Sequence, residues 1–281
     1  MAANSDKLIR RPAVAGTFYP GNRSKLEAFL QNSVFETDLP DDLKKSTITG
    51  GILPHAGYIY SGMHTASFFN VLRALGCKYD TVVILHPNHS GSGPHVSVDG
   101  HSSWETPLGM VEVDNELSKT LGFPESVIAQ KYEHSAETIV PFIKFFLDSY
   151  TSLLSVNMLN QSIDTARFVA KSLFNAVKKS GKKVLVIASS DFTHFATPEE
   201  ADKEDSMAVE QICGKNTEHF SKIVKDRRMS VCGYGPIMTL MEYTKMINES
   251  YKVKILSKGH SGETTPSLSV VSYISFLFYY E

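Results

Sequence analysis

Cysteine is scarce in this chain. Its 281 residues include three, Cys77, Cys213 and Cys232, with no CxxC spacing among them. So small and odd a set argues against a disulfide framework, and each is expected to be a small core residue unless its neighbours single it out. Charge of one sign is also lacking: 28 Lys and Arg against 30 Asp and Glu leave a net charge of −2. No basic field is available to gather nucleic acid or an anionic membrane surface. Long hydrophobic runs are missing. The most apolar stretch, SVVSYISFLFYYE, is too short to span a bilayer, and MAANSDKLIRRPAV has charges but no apolar segment behind them. A cytoplasmic location without a membrane partner is the expectation. Internal repeats and low-complexity linkers are absent too, so 1–281 reads as a single domain.

What is present is an alternation of strand-like and helix-like segments. STITGGILP (46–54), YDTVVILHP (79–87), SLLSVNML (152–159) and KKVLVIASSD (182–191) are short apolar runs suited to strands buried on both faces. Between them lie helical patterns: SGMHTASFFNVLRALG (61–76), closed by Gly76; SAETIVPFIKFFLDSY (135–150), with Ser135 as N-cap; and DTARFVAKSLFNAVKKSG (164–181), basic at its C-terminal end. HVSVDG (95–100) and GMVEVD (109–114) alternate and suggest an antiparallel excursion. Residues 198–227 read as two helices, 235–250 as a third, and YKVKILSKG and SLSVVSYISFLFYY as closing strands. The expected fold is α/β: a central mixed, mainly parallel sheet with helices on both faces.

In such sheets ligands bind beyond the carboxyl ends of the strands. Three strand ends carry polar side chains there: His55 after GIL, His86 and His89 in VVILHPNHS, and Ser189, Ser190, Asp191 and His194 in VLVIASSDFTH. Neutral imidazoles converging from separate strands, with one further donor, would make a metal site with open positions. KYEHSAE adds Glu133, His134 and Glu137; the last can also serve simply as an acid near a helix N-terminus. MSVCGYGPI places Cys232 before a Gly-Tyr-Gly-Pro turn, where a thiolate could be a ligand or nucleophile and a buried thiol would be inert. Any one strand-end histidine is more often structural than ligating, and His64, His95, His101, His219 and His260, on helix faces or loops, are read as structural.

Taken together, VAGTFYP (14–20), LPHAGYIYSG (53–62), ILHPNHSG (84–91), WETPLGMVEVD (104–114), YEHSAE (132–137), SSDFTH (189–194), CGYGPI (232–237) and SVVSYIS (269–275) resemble the Memo family, known in prokaryotes as protein B of the AmmeMemoRadiSam system. That family is similar in fold and pocket to LigB-type class III extradiol dioxygenases, which hold non-haem iron with two histidines and a carboxylate. The resemblance implies a metal-binding set of His55, His89 and Cys232, with Asp191 and His194 in the same pocket. A cysteine thus stands where the dioxygenases have a carboxylate. This softer ligand shifts expectation to copper or thiolate-bound iron, with zinc as an alternative. His86 stands where relatives have glycine; it either adds a ligand or points into the sheet, and the latter is the favoured reading.

These readings give three functions to weigh. The first is a metal-dependent redox enzyme of unassigned substrate, with His194 as general acid/base oriented by Asp191, His134 assisting, and Tyr58, Glu137 and Ser190 on the pocket wall. The second is a binding module for an anion or peptide, since animal relatives are described as binding phosphotyrosine peptides. The third is a component of a modification system with radical-SAM and AMMECR-type proteins. A metal-dependent hydrolase also fits a His/His/Cys set.

Overall fold

The computed structural model describes residues 8–281. Eleven strands follow in chain order: β1 (Ile9–Arg10), β2 (Thr47–Leu53), β3 (Thr81–Pro87), β4 (Val96–Val98), β5 (Ser103–Thr106), β6 (Gly109–Glu112), β7 (Ser152–Met158), β8 (Val184–Ser189), β9 (His194–Ala196), β10 (Lys252–His260) and β11 (Val270–Tyr280). The main sheet has the order β10-β11-β2-β8-β3-β7-β4, with β9 added to β11. Its centre, β2-β8-β3-β7, is parallel, and the flanking pairs are antiparallel. The sheet is therefore mixed, with its parallel part confined to the middle. All seven residues of β3 are buried, as a strand covered on both faces requires.

Helices cover both faces. Tyr58–Ala74 and Val140–Phe146 share one apolar core with the sheet; Ile163–Ser180, Pro198–Cys213, Thr217–Asp226 and Tyr234–Ile247 share the other. The helix closed by Gly76 ends as expected: Gly76 takes φ +63°, a conformation that suits glycine. The helix anticipated over 135–150 is shorter. A 3₁₀ turn, Glu137–Ile139, precedes Val140–Phe146, and Pro141, which has no N–H to donate, sits in the first turn where none is needed. Ser135 is not its cap. HVSVDG and GMVEVD do not pair with each other: β4 pairs with β7, and β6 with β5 in a small sheet that β1 completes.

The paired glycines of STITGGILP record close approach. A Cβ on Gly50 would lie 2.0 Å from the Val186 carbonyl oxygen of the neighbouring β8 and 2.9 Å from Leu240. Backbone in mid-sheet cannot step aside, so Gly50→Ala is expected to cost about 3 kcal/mol, the upper range for overpacking. Equilibrium urea unfolding checks this; a variant as stable as wild type would mean that the strands can separate.

Candidate metal centre

β2, β3 and β8 run parallel in register, with Leu53 beside Ser189 and Leu85 beside Ala188. Their carboxyl ends therefore open at one level, and the residues just beyond them, His55, His89 and Asp191, come together. His134 joins from the loop before the 3₁₀ turn. His55, His89 and His134 each offer a ligand atom within 4.8 Å of the others. The ring centroids of His55 and His89 are 5.3 Å apart, those of His55 and His134 5.4 Å, and those of His89 and His134 4.9 Å. His55 is buried, whereas the His89 side chain is 37% exposed, so the cluster opens to solvent on the His89 side.

Hydrogen bonds fix which nitrogen faces inward. Ser189 Oγ donates its one proton to the Ser135 carbonyl at 2.6 Å, so at 2.7 Å it accepts from His55 Nδ1. His89 Nδ1 donates to Glu133 Oε1 at 2.9 Å. In its neutral form each imidazole then leaves Nε2 bare, the tautomer in which an acceptor behind the ring prepares histidine for a metal. Burial, and then the neighbouring His134 and His89, push the His55 pKa well below its ordinary value, and burial lowers that of His134. For His89, burial works downward but the hydrogen bond and charge of Glu133 outweigh it, and the net shift is upward. That upward shift favours a proton on His89 Nε2, which a metal would displace while leaving the Glu133 bond at Nδ1 intact.

Glu133 is the residue the sequence reading left without a role. Its buried carboxylate accepts from the His89 backbone N–H at 2.6 Å, from the Ser135 N–H at 3.0 Å and from Ser135 Oγ at 2.7 Å. Burial would raise its pKa, yet the His89 hydrogen bond and the charges of His86 and His89 hold it well below the usual carboxylate range. YEHSAE contained the signal, an acid beside a histidine in a loop.

Cys232 lies against the cluster, its Sγ 3.3 Å from His55 Nε2. That contact is to His55 alone: the side chains whose ligand atoms gather within 4.8 Å of one another are His55, His89 and His134, and Cys232 is not among them. The thiol accepts from the Asp191 N–H at 3.2 Å, while burial and the Asp191 carboxylate push its pKa up. Its turn is pinned from outside: Gln161 Nε2 donates to the Cys232 carbonyl at 2.8 Å and Gln161 Oε1 accepts from Gly235 N–H at 2.8 Å. No local pattern in the sequence pointed to Gln161, which comes from another loop.

The remaining candidates divide. Asp191 accepts from the His55 N–H at 2.8 Å, and burial pushes its pKa up to about 6. It does not orient His194 by a hydrogen bond: His194 N–H donates to Ser230 Oγ. The chain there is extended, with β9 paired to β11, and His194 Nδ1 bonds the Phe192 carbonyl at 2.7 Å. Ser190 Oγ accepts from Gly233 N–H and donates to the Asp191 carbonyl, which fixes the Cys232 turn. Tyr58 spends its hydroxyl on the Thr138 carbonyl at 2.7 Å, away from any ligand. Glu137 pairs with Arg10 at 2.7 Å, both buried, and accepts from Ala13 N–H, Val14 N–H and Tyr19 hydroxyl. It anchors the VAGTFYP segment, whose Phe18 ring then packs 4.8 Å from His134.

His86 lies behind the cluster, fully buried. Its Nδ1 contacts the Pro87 carbonyl and Ser135 Oγ, and its Nε2 is 2.8 Å from Ser155 Oγ. Burial lowers its pKa to about 4, against 6.5 in an unfolded chain. The unfolded state therefore binds the extra proton first: this stability is whole above pH 6.5 and is lost as pH falls toward 4, at about 1.4 kcal/mol per unit. Between pH 7 and pH 5, metal-free His86→Gln should lose about 2 kcal/mol less than wild type. Urea titrations at the two pH values measure it, and equal losses would exclude His86 as the source.

The fold and site define a mixed α/β protein with a histidine cluster at the carboxyl edge of a parallel sheet core. The sequence profile of the Memo-like protein family matches residues 10–277, and the chain belongs to that family. It is 38% identical to a MEMO1 family protein of Desulfurococcus amylolyticus and 35% identical to one of Sulfurisphaera tokodaii, each over 96% of this chain and 99% of the relative. A third, from Methanosarcina barkeri, is 37% identical over 94% of this chain and 97% of its own length. Among solved structures, an uncharacterized Escherichia coli K12 protein, JW3007, aligns with a TM-score of 0.54 at 12% identity, covering 81% of this chain and 99% of its own, a likeness of fold alone. None of the helices among the described residues is long and apolar enough to cross a membrane.

Proposed function

We propose that this pocket holds one transition-metal ion and serves a redox reaction on a small substrate. The observation that carries this reading is the convergence of His55, His89 and His134, with the Nδ1 atoms of His55 and His89 occupied by Ser189 and Glu133 so that each Nε2 is left to bind an ion. His55 and His89 would bind it, and Cys232, in contact with His55 Nε2, would supply the thiolate. His134 stands close enough to be a fourth ligand. Imidazole with thiolate suits copper(I) or ferrous iron, with zinc as the redox-inert alternative. Bound there, such an ion would supply electron transfer to or from substrate or oxygen.

The chain's own groups would do the rest. Glu133 keeps His89 aimed, and Phe18 and the buried floor limit water on one side. Asp191, its carboxyl pKa pushed up by burial beside His55, stands where a group that holds or releases a proton next to the ligands is needed. His194, its Nδ1 fixed on Phe192, presents Nε2 as a second proton carrier. Under this reading, protein loaded with iron(II) or copper(I) consumes oxygen faster than the same amount of free metal in the presence of an organic reductant. His194→Ala lowers that rate by about 100-fold, the lower range for general acid–base catalysis. Uptake no faster than free metal, and unchanged in His194→Ala, would reject the enzyme.

A binding function has one observation in its favour. Phe195, beside His194, is 81% exposed in a left-handed conformation, and Tyr132, two residues from His134, is 71% exposed. Such aromatics could seat a peptide over the pocket. Peptide affinity unchanged by Phe195→Ala and Tyr132→Ala would remove this reading.

A further inference from the structure

A cavity of about 740 Å³ lies at the opposite end of the same strands from the histidine cluster. It is bounded where β2 and β8 begin, at Thr47 and Val184, and by the last turns of the helices Ile163–Ser180 and Tyr234–Ile247. A strand of about seven residues separates it from the histidine cluster, roughly 20 Å. The size lies within the range of small-molecule sites.

The composition of its wall is one-sided. The apolar part is Ile48, Phe174, Val177, Val184, Tyr243 and Ile247; the charged part is Lys78, Lys178, Lys182 and Lys183, and no carboxylate lines it. Two of these lysines are already neutralised from outside the cavity. Lys182 Nζ pairs with Asp114 at 2.9 Å and Glu116 at 3.2 Å, and Lys78 lies 3.8 Å from Asp148. Lys178 and Lys183 have no ion-pair partner among the described residues. A last-turn lysine such as Lys178 also complements its helix end, but Lys183 lies beyond the helix and its cap, Gly181, where that reason fades. Tyr243 also lines the cavity, and its hydroxyl, which bonds to no described residue, is open to it and free to donate.

We propose that this cavity is a binding site for a small organic anion, an apolar aliphatic or aromatic body carrying a carboxylate or phosphate group. The body lies against Phe174, Val177 and Ile247. The anionic group meets Lys178 and Lys183, and Tyr243 donates to it or to a polar substituent. Nothing in this proposal depends on the metal reading, because the two sites share no residue.

Anilinonaphthalene sulfonate serves as the fluorescent probe, displaced by decanoate, by 1-naphthyl phosphate or by uncharged 1-naphthol. Cys77, which lines the cavity, is followed by iodoacetamide labelling and peptide mass, with exposed Cys213 as internal control. The expected result is saturable one-to-one binding of at least one anion below about 1 mM, with the neutral naphthol at least tenfold weaker, about the worth of one charged hydrogen bond. Whichever of decanoate and the phosphate binds tighter identifies the anionic group. Bound anion slows alkylation of Cys77 and leaves Cys213 unchanged. Lys178→Glu with Lys183→Glu lowers affinity about tenfold or more, Tyr243→Phe lowers it severalfold, and His55→Ala leaves it intact. No saturable binding, equal affinity for naphthol and its phosphate, or binding by the double lysine variant equal to wild type would each overturn the proposal.

Discussion

Glu137→Ala is expected to destabilise the protein by about 3–5 kcal/mol, the cost of removing one partner from a buried ion pair. The magnitude follows from what the carboxylate holds. Arg10 is 2% exposed; its Nη1 donates to Glu137, while Nε and Nη2 donate to the Gln130 and Glu133 carbonyls, and its guanidinium lies 4.1 Å over Trp104. Truncation leaves that charge without its counter-ion and also orphans the N–H groups of Ala13 and Val14 and the Tyr19 hydroxyl. Arg10 and Tyr19 are buried, while Ala13 and Val14 are only partly covered. Arg10→Met together with Glu137→Ala should cost less than the two single changes added, because the unpaired charge is gone while the orphaned donors remain. Denaturant unfolding of the three variants provides the cycle. A loss below about 1 kcal/mol for Glu137→Ala would mean that the pair is solvated in solution.

The second large effect concerns Glu133. Glu133→Gln should weaken metal binding by about 10- to 100-fold, as outer acceptors of ligating histidines generally do. The carboxylate alone accepts from both His89 N–H and His89 Nδ1. An amide presents one oxygen and one NH₂, so it cannot accept both, and either the loop or the imidazole tautomer is released. Stability should also fall, since Ser135 N–H and Oγ use the same carboxylate. Competition titration with a chelator reads the affinity, and affinity equal to wild type would show that His89 is oriented by packing alone.

The sequence made the central strands legible because each is a short apolar run ending in polar residues. Parallel pairing of β2, β8 and β3 then had to bring His55, His89 and Asp191 to one edge. Of the small sheet only antiparallel β6 was legible, within GMVEVD: β1 has two residues, and β5 contains Trp104, which is buried by Arg10 from another segment. Glu137 reads as a pocket residue or an ordinary acid at a helix start, because nothing local reveals an arginine 127 residues earlier in the chain. His134 was read as an assisting acid/base; in three dimensions it belongs to the same triad as His55 and His89. Spacing along the chain cannot distinguish these cases, since they are decided by which side of a loop faces the sheet edge. Tyr58 shows the reverse. A tyrosine three residues after a site histidine looked available, but helix geometry turns its hydroxyl to Thr138.

The central claim is that His55 and His89 hold a metal through their Nε2 atoms. Its most direct test is metal content after oxygen-free purification under reducing conditions and loading with iron(II), copper(I) or zinc, compared with His55→Ala and His89→Ala treated identically. The account predicts close to one ion per wild-type chain for at least one metal and a loss of about 100-fold or more in affinity in each variant. Equally negligible metal in wild type and variants, or equal retention by all three, would contradict it.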